Sequence, residues 1–248
     1  MAADHSIVSF GSAGPPDLRL FCFPYAGGSS VAFKGWRDAL HRVDVCAIEL
    51  PGRGRLFGHA ALRNLGAVID YAAEAIERLC DIPFVLYGHS MGAVTALEVG
   101  FELARRGKRP RGLVATGSAP PHLPIRRERP LHALSRDELL EALRELETLP
   151  EALLRRPDVL DAFLPTIRAD MESRETWVSA VRDIKVPITA FGGKDDSHVT
   201  ADELCAWGRY TSARFSVMQL EGGHFFIKSN QDAFLPLLQD ALIRCLSQ

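Results

Sequence analysis

Phe84-Val85-Leu86-Tyr87-Gly88-His89-Ser90-Met91-Gly92-Ala93 is the stretch that decides the fold. Four consecutive apolar or aromatic residues, 84–87, suit a strand buried on both faces. They lead into Gly88-x-Ser90-x-Gly92. Beyond Ala93, the residues Val94, Leu97, Phe101 and Ala104 recur at three- and four-residue steps, as on one face of a helix. A GxSxG pentapeptide alone is a weak signal, because a capped helix start with an inert serine would read the same way. Between a buried strand and a helix it predicts a tight turn. The two glycines allow close backbone approach, so the Ser90 hydroxyl is lifted above the edge of a sheet. The start of the helix beneath it favours developing negative charge.

Outward from this turn, short apolar runs alternate with longer helical patterns. Strands are predicted near 18–23, 43–50, 84–87, 112–116, 187–191 and 215–220. Helices are predicted near 30–41, 62–79, 91–106, 201–210 and 231–245. Such alternation predicts an α/β fold, a parallel sheet covered by helices. Residues 119–181 interrupt it with about twice the length a βα unit needs, roughly 30 residues, and no convincing strand. There Ser135 and Glu138 form an S-x-x-E capping box ahead of Leu139, Leu140, Leu143 and Leu146. A second helical stretch runs from Val159 through Phe163, Ile167 and Met171, with Pro165 expected to kink or divide it. The segment reads as a helical insertion in a single domain spanning 1–248, since it is small for a separate core.

Composition narrows the classes of function. The chain has 248 residues, 29 Lys+Arg against 31 Asp+Glu, and 47% hydrophobic residues. A formal charge of −2 gives no general electrostatic reason to bind nucleic acid or an anionic membrane. No run approaches the roughly 18 residues of a membrane helix, and the N-terminus lacks the pattern of a secretory signal. A cytoplasmic protein is expected, and a monomer. Five widely spaced cysteines without CxxC or Cys/His ligand spacing read as reduced core thiols, and no metal site is expected.

A serine hydroxyl needs a base, and the base an orienting acid. In folds with this strand-to-helix turn the chain order is Ser, acid, His. His224, in Glu221-Gly222-Gly223-His224, lies just after the last predicted strand and is the candidate base. His198 is the second choice, and His89 reads as a packing residue. The acid belongs after strand 187–191, where Gly192-Gly193-Lys194-Asp195-Asp196 offers two adjacent carboxylates that spacing alone does not separate. Asp202 reads as a residue of the next helix start. The oxyanion hole needs the amide of Met91 and one from Phe23-Pro24-Tyr25-Ala26-Gly27-Gly28, where Ala26 or Tyr25 would donate. That glycine-rich loop lacks GxGxxG and GK[ST], so nucleotide binding is not expected.

With these residues in place the chain resembles the discrete type II thioesterases that accompany polyketide and nonribosomal peptide synthases. The similarity runs from about Leu18 to Leu246. It rests on Phe23-Pro24-Tyr25-Ala26-Gly27-Gly28, Leu50-Pro51-Gly52-Arg53-Gly54, Gly88-His89-Ser90-Met91-Gly92 and Gly222-Gly223-His224-Phe225-Phe226. The resemblance implies an α/β-hydrolase fold with a helical lid on the insertion 119–181. It also points to Asp196 as the acid, fifth residue of GGxxD. The family commonly has proline next, whereas Ser197 stands here, and Asp195 stays open as an alternative.

The implied activity is hydrolysis of acyl thioesters on the phosphopantetheine arm of carrier proteins, an editing reaction of antibiotic biosynthesis. It needs no metal or bound cofactor, since the phosphopantetheine belongs to the acyl or peptidyl carrier partner. Carrier domains are usually acidic, so Arg126, Arg127 and Arg129, with Arg53 and Arg55 behind them, are candidates for a docking surface. Read as solvated loop residues, they have no such role. Tyr25 is a candidate substrate contact. Leu139, Leu143, Phe163, Ile167 and Met171 would line an acyl pocket or attach the lid to the body. A carboxylester hydrolase, a product-releasing acyltransferase or cyclase, and a noncatalytic synthase-binding scaffold are the competing readings.

Overall fold

The computed structural model describes residues 5–146 and 156–246, so residues 147–155 of the predicted insertion lie outside the described part. Seven strands form one sheet: β1 Ile7–Gly11, β2 Leu18–Phe23, β3 Val43–Ile48, β4 Phe84–His89, β5 Leu113–Thr116, β6 Ile188–Gly193 and β7 Phe215–Leu220. Their order is β1-β3-β2-β4-β5-β6-β7. Only β1 runs antiparallel, against β3; the remaining pairs are parallel. This is the predicted α/β architecture with one strand added. β1 escaped the sequence reading because it is a five-residue edge strand with no buried residue, so its hydropathy carries little pattern.

The helices are α1 Trp36–Ala39, α2 Leu65–Glu77, α3 Met91–Arg105, α4 Arg136–Glu145, α5 Pro157–Glu175, α6 Ala201–Cys205, α7 Phe226–Ser229 and α8 Gln231–Leu246. Strand periodicity sorts the core into two layers. Phe21, Cys46, Ile48, Leu86 and Leu113 face α2 and α3. Leu20, Cys22, Val45, Val85 and Tyr87, on the opposite face, pack against Trp36 and the inner side of α8. Two predicted helices are shorter than expected. The 30–41 stretch is a 3₁₀ turn followed by α1, separated by Gly35 at φ 91°, and 201–210 passes from α6 into a 3₁₀ turn.

Between β5 and β6 the described residues contain no strand. The capping box predicted at Ser135 and Glu138 is formed in both directions and opens α4. Helix α5 runs unbroken through Pro165, which therefore does not divide it. Contrary to expectation, this segment has a small core of its own, in which Leu131, Leu139, Leu143, Leu160 and Ile167 pack together. Cys22, Cys46 and Cys245 are buried as expected, but Cys205 is exposed, on the outer side of the short α6. Among the described residues no helix is long and apolar enough to cross a membrane.

Helix α5 is tied to the body by buried polar bonds. The Thr166 hydroxyl donates to the Gly52 carbonyl at 2.9 Å. Asp170 accepts two bonds from the Arg53 guanidinium, each 2.7 Å, and one from the Gly27 amide at 2.7 Å. The Arg53 and Asp170 side chains are 1% and 2% exposed, so Arg53 is an internal anchor and not the docking residue its sequence position suggested. A bidentate pair in this setting is sensitive to loss of one partner, because the other charge is then stranded away from water. Asp170→Ala should therefore destabilise the protein by about 3–5 kcal/mol in denaturant unfolding. Arg53→Met combined with Asp170→Leu should recover part of that loss, because no charge is left unpaired.

Candidate active site

The strand-to-helix turn after β4 holds Ser90 at φ 56° and ψ −121°, a conformation that L residues rarely adopt. Such strain costs of order 1–3 kcal/mol and persists only where neighbours enforce it. Here the Ser90 amide donates to the Thr116 carbonyl at 2.8 Å. The Thr116 hydroxyl donates to the Gly88 carbonyl at 3.0 Å and lies 2.9 Å from both the Tyr87 hydroxyl and His89 Nδ1. The glycines of the turn answer a packing demand: a Cβ on Gly88 would lie 2.0 Å from the Gly92 carbonyl oxygen, and one on Gly92 would lie 2.2 Å from that of Phe23. No other side chain fits at either place.

His224 follows β7 and is 8% exposed. Its Nε2 is 3.1 Å from Ser90 Oγ, and its Nδ1 is 2.9 Å from Asp196 Oδ2. An ionised carboxylate only accepts, so Nδ1 carries the ring proton and Nε2 is left to accept from the serine hydroxyl. The second carboxylate oxygen, Asp196 Oδ1, accepts from the amides of His198 at 2.9 Å and Val199 at 3.3 Å. Burial works against charge on Asp196, yet the hydrogen bond and charge of His224, with the His198 amide, hold its pKa below the usual carboxylate value. Of the two carboxylates that the sequence left open, the structure brings Asp196 to His224. Asp195 is exposed and uses its amide on Gly222.

The other histidines of the site do not contact Ser90. His89 is fully buried, with Nδ1 on Thr116, and burial pushes its pKa down, so it is a neutral packing residue. Burial, and then the charge of His224, lower the pKa of His198, whose ring lies 5.7 Å from that of His224.

Ser90, Met91, His224, Tyr25 and Ala26 line one cavity of about 260 Å³ at the carboxyl ends of the strands. In open parallel sheets ligands bind at that edge. The Tyr25 ring packs edge-on against Phe225 at 4.9 Å, and the Lys228 ammonium sits 4.3 Å over it, which fixes the loop carrying Ala26. On the other side of Ala26, the Gly27 amide is held by Asp170. The loop is thus gripped at both flanks, with the Ala26 amide between them.

Arg126 and Arg127 stand at the mouth of this cavity. Arg126 is 68% exposed and reaches Glu203 at 3.1 Å, while Arg129 pairs with Glu138 on α4. Met171 lines the cavity, but Phe163 and Ile167 do not. Phe163 packs against Phe57 at 5.4 Å, and Ile167 sits against Gly27 in the core of the insertion, where Leu139 and Leu143 also lie. The helical spacing 163, 167, 171 does put three side chains on one face, but at 1.5 Å per residue the ends are about 12 Å apart, and only the last lines the cavity of Ser90. The wall is instead supplied by the segment after β5, through Ser118, Leu123, Ile125 and Leu131. Sequence reasoning missed these, and it missed Asp170 and Thr116. The signal for the first group was their position at the carboxyl end of β5; the last two carry none outside the fold. Among the described residues no cluster of His, Cys, Asp and Glu is suited to a metal ion.

A family model described as "Thioesterase domain" matches residues 18–242. The chain is 37% identical over 217 residues to the gramicidin S biosynthesis protein GrsT of Aneurinibacillus migulanus, covering 85% of this chain and 83% of that protein. Among solved structures, the RedJ thioesterase from the prodiginine biosynthetic pathway in Streptomyces coelicolor superposes with a TM-score of 0.84 at 38% identity, covering 92% of this chain and 94% of the other. The type II thioesterase BorB from the borrelidin biosynthetic cluster gives a TM-score of 0.87 at 29% identity, covering 97% and 98%. With its α/β-hydrolase sheet and the match over nearly its whole length, this chain belongs to the thioesterase domain family.

Proposed function

We propose that this thioesterase removes acyl groups from the phosphopantetheine arm of carrier proteins in polyketide or nonribosomal peptide synthesis, with Ser90, His224 and Asp196 as its catalytic residues. The observation that carries the reading is the continuous line of contacts from Asp196 through His224 to Ser90 within one cavity. The relatives support the rest, being proteins named for gramicidin S, prodiginine and borrelidin biosynthesis.

In this mechanism Ser90 Oγ attacks the thioester carbonyl carbon while His224 Nε2 takes the hydroxyl proton. The amides of Met91 and Ala26 hold the oxyanion, and Asp196 stabilises the imidazolium without taking its proton. Collapse of the tetrahedral intermediate breaks the C–S bond, and His224 returns the proton to the departing thiol of the carrier arm. Water then attacks the acyl-serine with His224 as base, releasing the free acid and restoring Ser90. The phosphopantetheine is part of the substrate, and no step requires a metal or a bound cofactor. Residues 119–181 act as the lid, since Leu123, Ile125, Leu131, Leu146 and Met171 of this segment line the cavity, and motion of the lid would change the cavity volume. Arg126 and Arg127, exposed at its mouth, form the face that meets an acidic carrier.

Intact-protein mass spectrometry of an acyl-loaded carrier protein tests the reading directly. Wild type should convert acyl carrier to free carrier and carboxylic acid, and Ser90→Ala should not. Cleavage of oxygen esters in place of carrier thioesters would identify an esterase instead. Asp196→Asn should lower kcat about 10³–10⁴-fold by leaving the imidazole in the wrong tautomer, whereas Asp195→Asn should change it by less than about twofold. Charge reversal at Arg126 and Arg127 together should reduce kcat/KM on acyl carrier protein about tenfold while sparing a small acyl thioester. Equal loss on both substrates would remove docking as the explanation.

A further inference from the structure

Helix α5 presents to the Ser90 cavity a cation that touches no counterion among the described residues. Arg174, one turn beyond Asp170, forms no hydrogen bond or ion pair with any described residue. Its neighbour Glu175 is already committed: Oε1 accepts the Leu131 amide at 2.8 Å, and Oε2 accepts the His132 amide at 3.1 Å and faces His132 Nδ1 at 2.7 Å. Burial pulls the pKa of the guanidinium down, while Glu175 and Tyr210 act in the opposite direction. Arginine nonetheless stays charged, so a guanidinium whose donors are unused among the described residues is held in a partly desolvated place, where an anion with free oxygen lone pairs is a favourable partner.

Arg174 stands in the wall between two cavities. One is the cavity of Ser90 and His224. The other, of about 420 Å³, is bounded by His122, Pro130 and Trp177 and shares Arg127, Ile125 and Glu175 with the first. Two of the residues that line it have ring nitrogens left over among the described residues. Trp177 Nε1 and both ring nitrogens of His122 are buried without a hydrogen-bond partner. Burial, and then the charge of Arg209, lower the pKa of His122, so its ring is neutral and has one N–H to donate. Arg127, common to both walls, also lacks an ion pair among the described residues and adds a second positive charge here.

We infer that Arg174 is a substrate-binding residue whose guanidinium takes an anionic oxygen group carried by the thioester, either a carboxylate on the acyl chain or the phosphate of the pantetheine arm. Both are planar or tetrahedral oxyanions that the guanidinium fork can hold by two hydrogen bonds. A purely hydrocarbon acyl group reaching the same place would leave the charge facing methylene groups. This inference rests on the thioesterase reading and adds an anion requirement to its substrate.

Three small thioesters separate the sources: pentanoyl-N-acetylcysteamine without an anion, glutaryl-N-acetylcysteamine with a carboxylate only, and pentanoyl-phosphopantetheine with a phosphate only. Arg174→Met should lower kcat/KM on the glutaryl or the phosphopantetheine substrate at least about tenfold, mainly through KM, and change pentanoyl-N-acetylcysteamine by less than about twofold. The substrate that suffers names the anion, and unchanged turnover of the neutral thioester reports that the variant is folded. Arg174→Lys should restore part of the loss by keeping the charge. Equal loss on all three substrates, or loss on none, overturns the inference. Failure of wild type to cleave any of the three would overturn the thioesterase reading instead. The anion site is then decided by calorimetry of the same uncleaved ligands, where tighter binding of an anionic one to wild type than to Arg174→Met supports it and equal binding overturns it.

Discussion

The left-handed backbone at Ser90 is the constraint on which the arrangement above the sheet depends. A serine held there needs a strand behind it, a helix ahead of it, and neighbours too close to let it relax. Gly88 and Gly92 make the close approach possible, and β5 enforces it through Thr116, which bonds the Ser90 amide by its carbonyl and the Gly88 carbonyl by its hydroxyl. The parallel pairing of β4 with β5 and β2 then brings the loop after Phe23 beside the same turn. Because β6 and β7 follow in order across the sheet, Asp196 and His224 leave their strands on the same edge. Ser90, Asp196 and His224 are therefore brought to one edge by the order and pairing of the strands.

A second constraint acts from above. The Arg53–Asp170 pair joins the Leu50-Pro51-Gly52-Arg53-Gly54 turn to helix α5, and the same carboxylate holds the Gly27 amide. The insertion is thus fastened at the loop that offers the Ala26 amide, not merely laid over the site. A buried ion pair contributes little net stability, since desolvation offsets most of its attraction, but it is unforgiving of misplacement. That makes it suited to fixing the position of α5 on the body. Once α5 is fixed, its last turn sets Met171 and Arg174 in the wall of the serine cavity, and with them the size and polarity of whatever the cavity accepts. Helix α5 thus links the loop bearing the Ala26 amide to the wall of the serine cavity.

The two ends of this system differ in rigidity. The sheet edge is built from fully buried strands and a hydrogen-bonded threonine hub. The segment after β5 that walls the cavity has exposed residues from Pro124 to Pro130 and few bonds to the body. Local opening draws on regions with few buried contacts, so a change in cavity shape would fall on this side and leave the Ser90–His224 contact intact.

Much of this was legible in the sequence, because the relevant signals are local. Continuous apolar runs marked six of the seven strands, the glycines around Ser90 marked the turn, and the capping box at Ser135 marked a helix start that the structure contains. The candidate base and serine were equally local, each lying in a glycine-rich turn just after a strand. What the sequence could not decide depends on direction and distance in space. Asp195 and Asp196 are chemically alike and adjacent, and only the path of the chain out of β6 points one of them at His224. Phe163, Ile167 and Met171 share a helical face, but the placement of α5 decides which of them lines the cavity of Ser90. Arg53 read as a surface charge and Asp170 and Arg174 carried no signal, because burial of a charge is set by partners far away in sequence. The sequence by itself determined the sheet, the turn and the chemistry available. The tertiary structure alone decided which carboxylate meets the imidazole, which charges are buried, and which cation lines the serine cavity without an ion pair among the described residues.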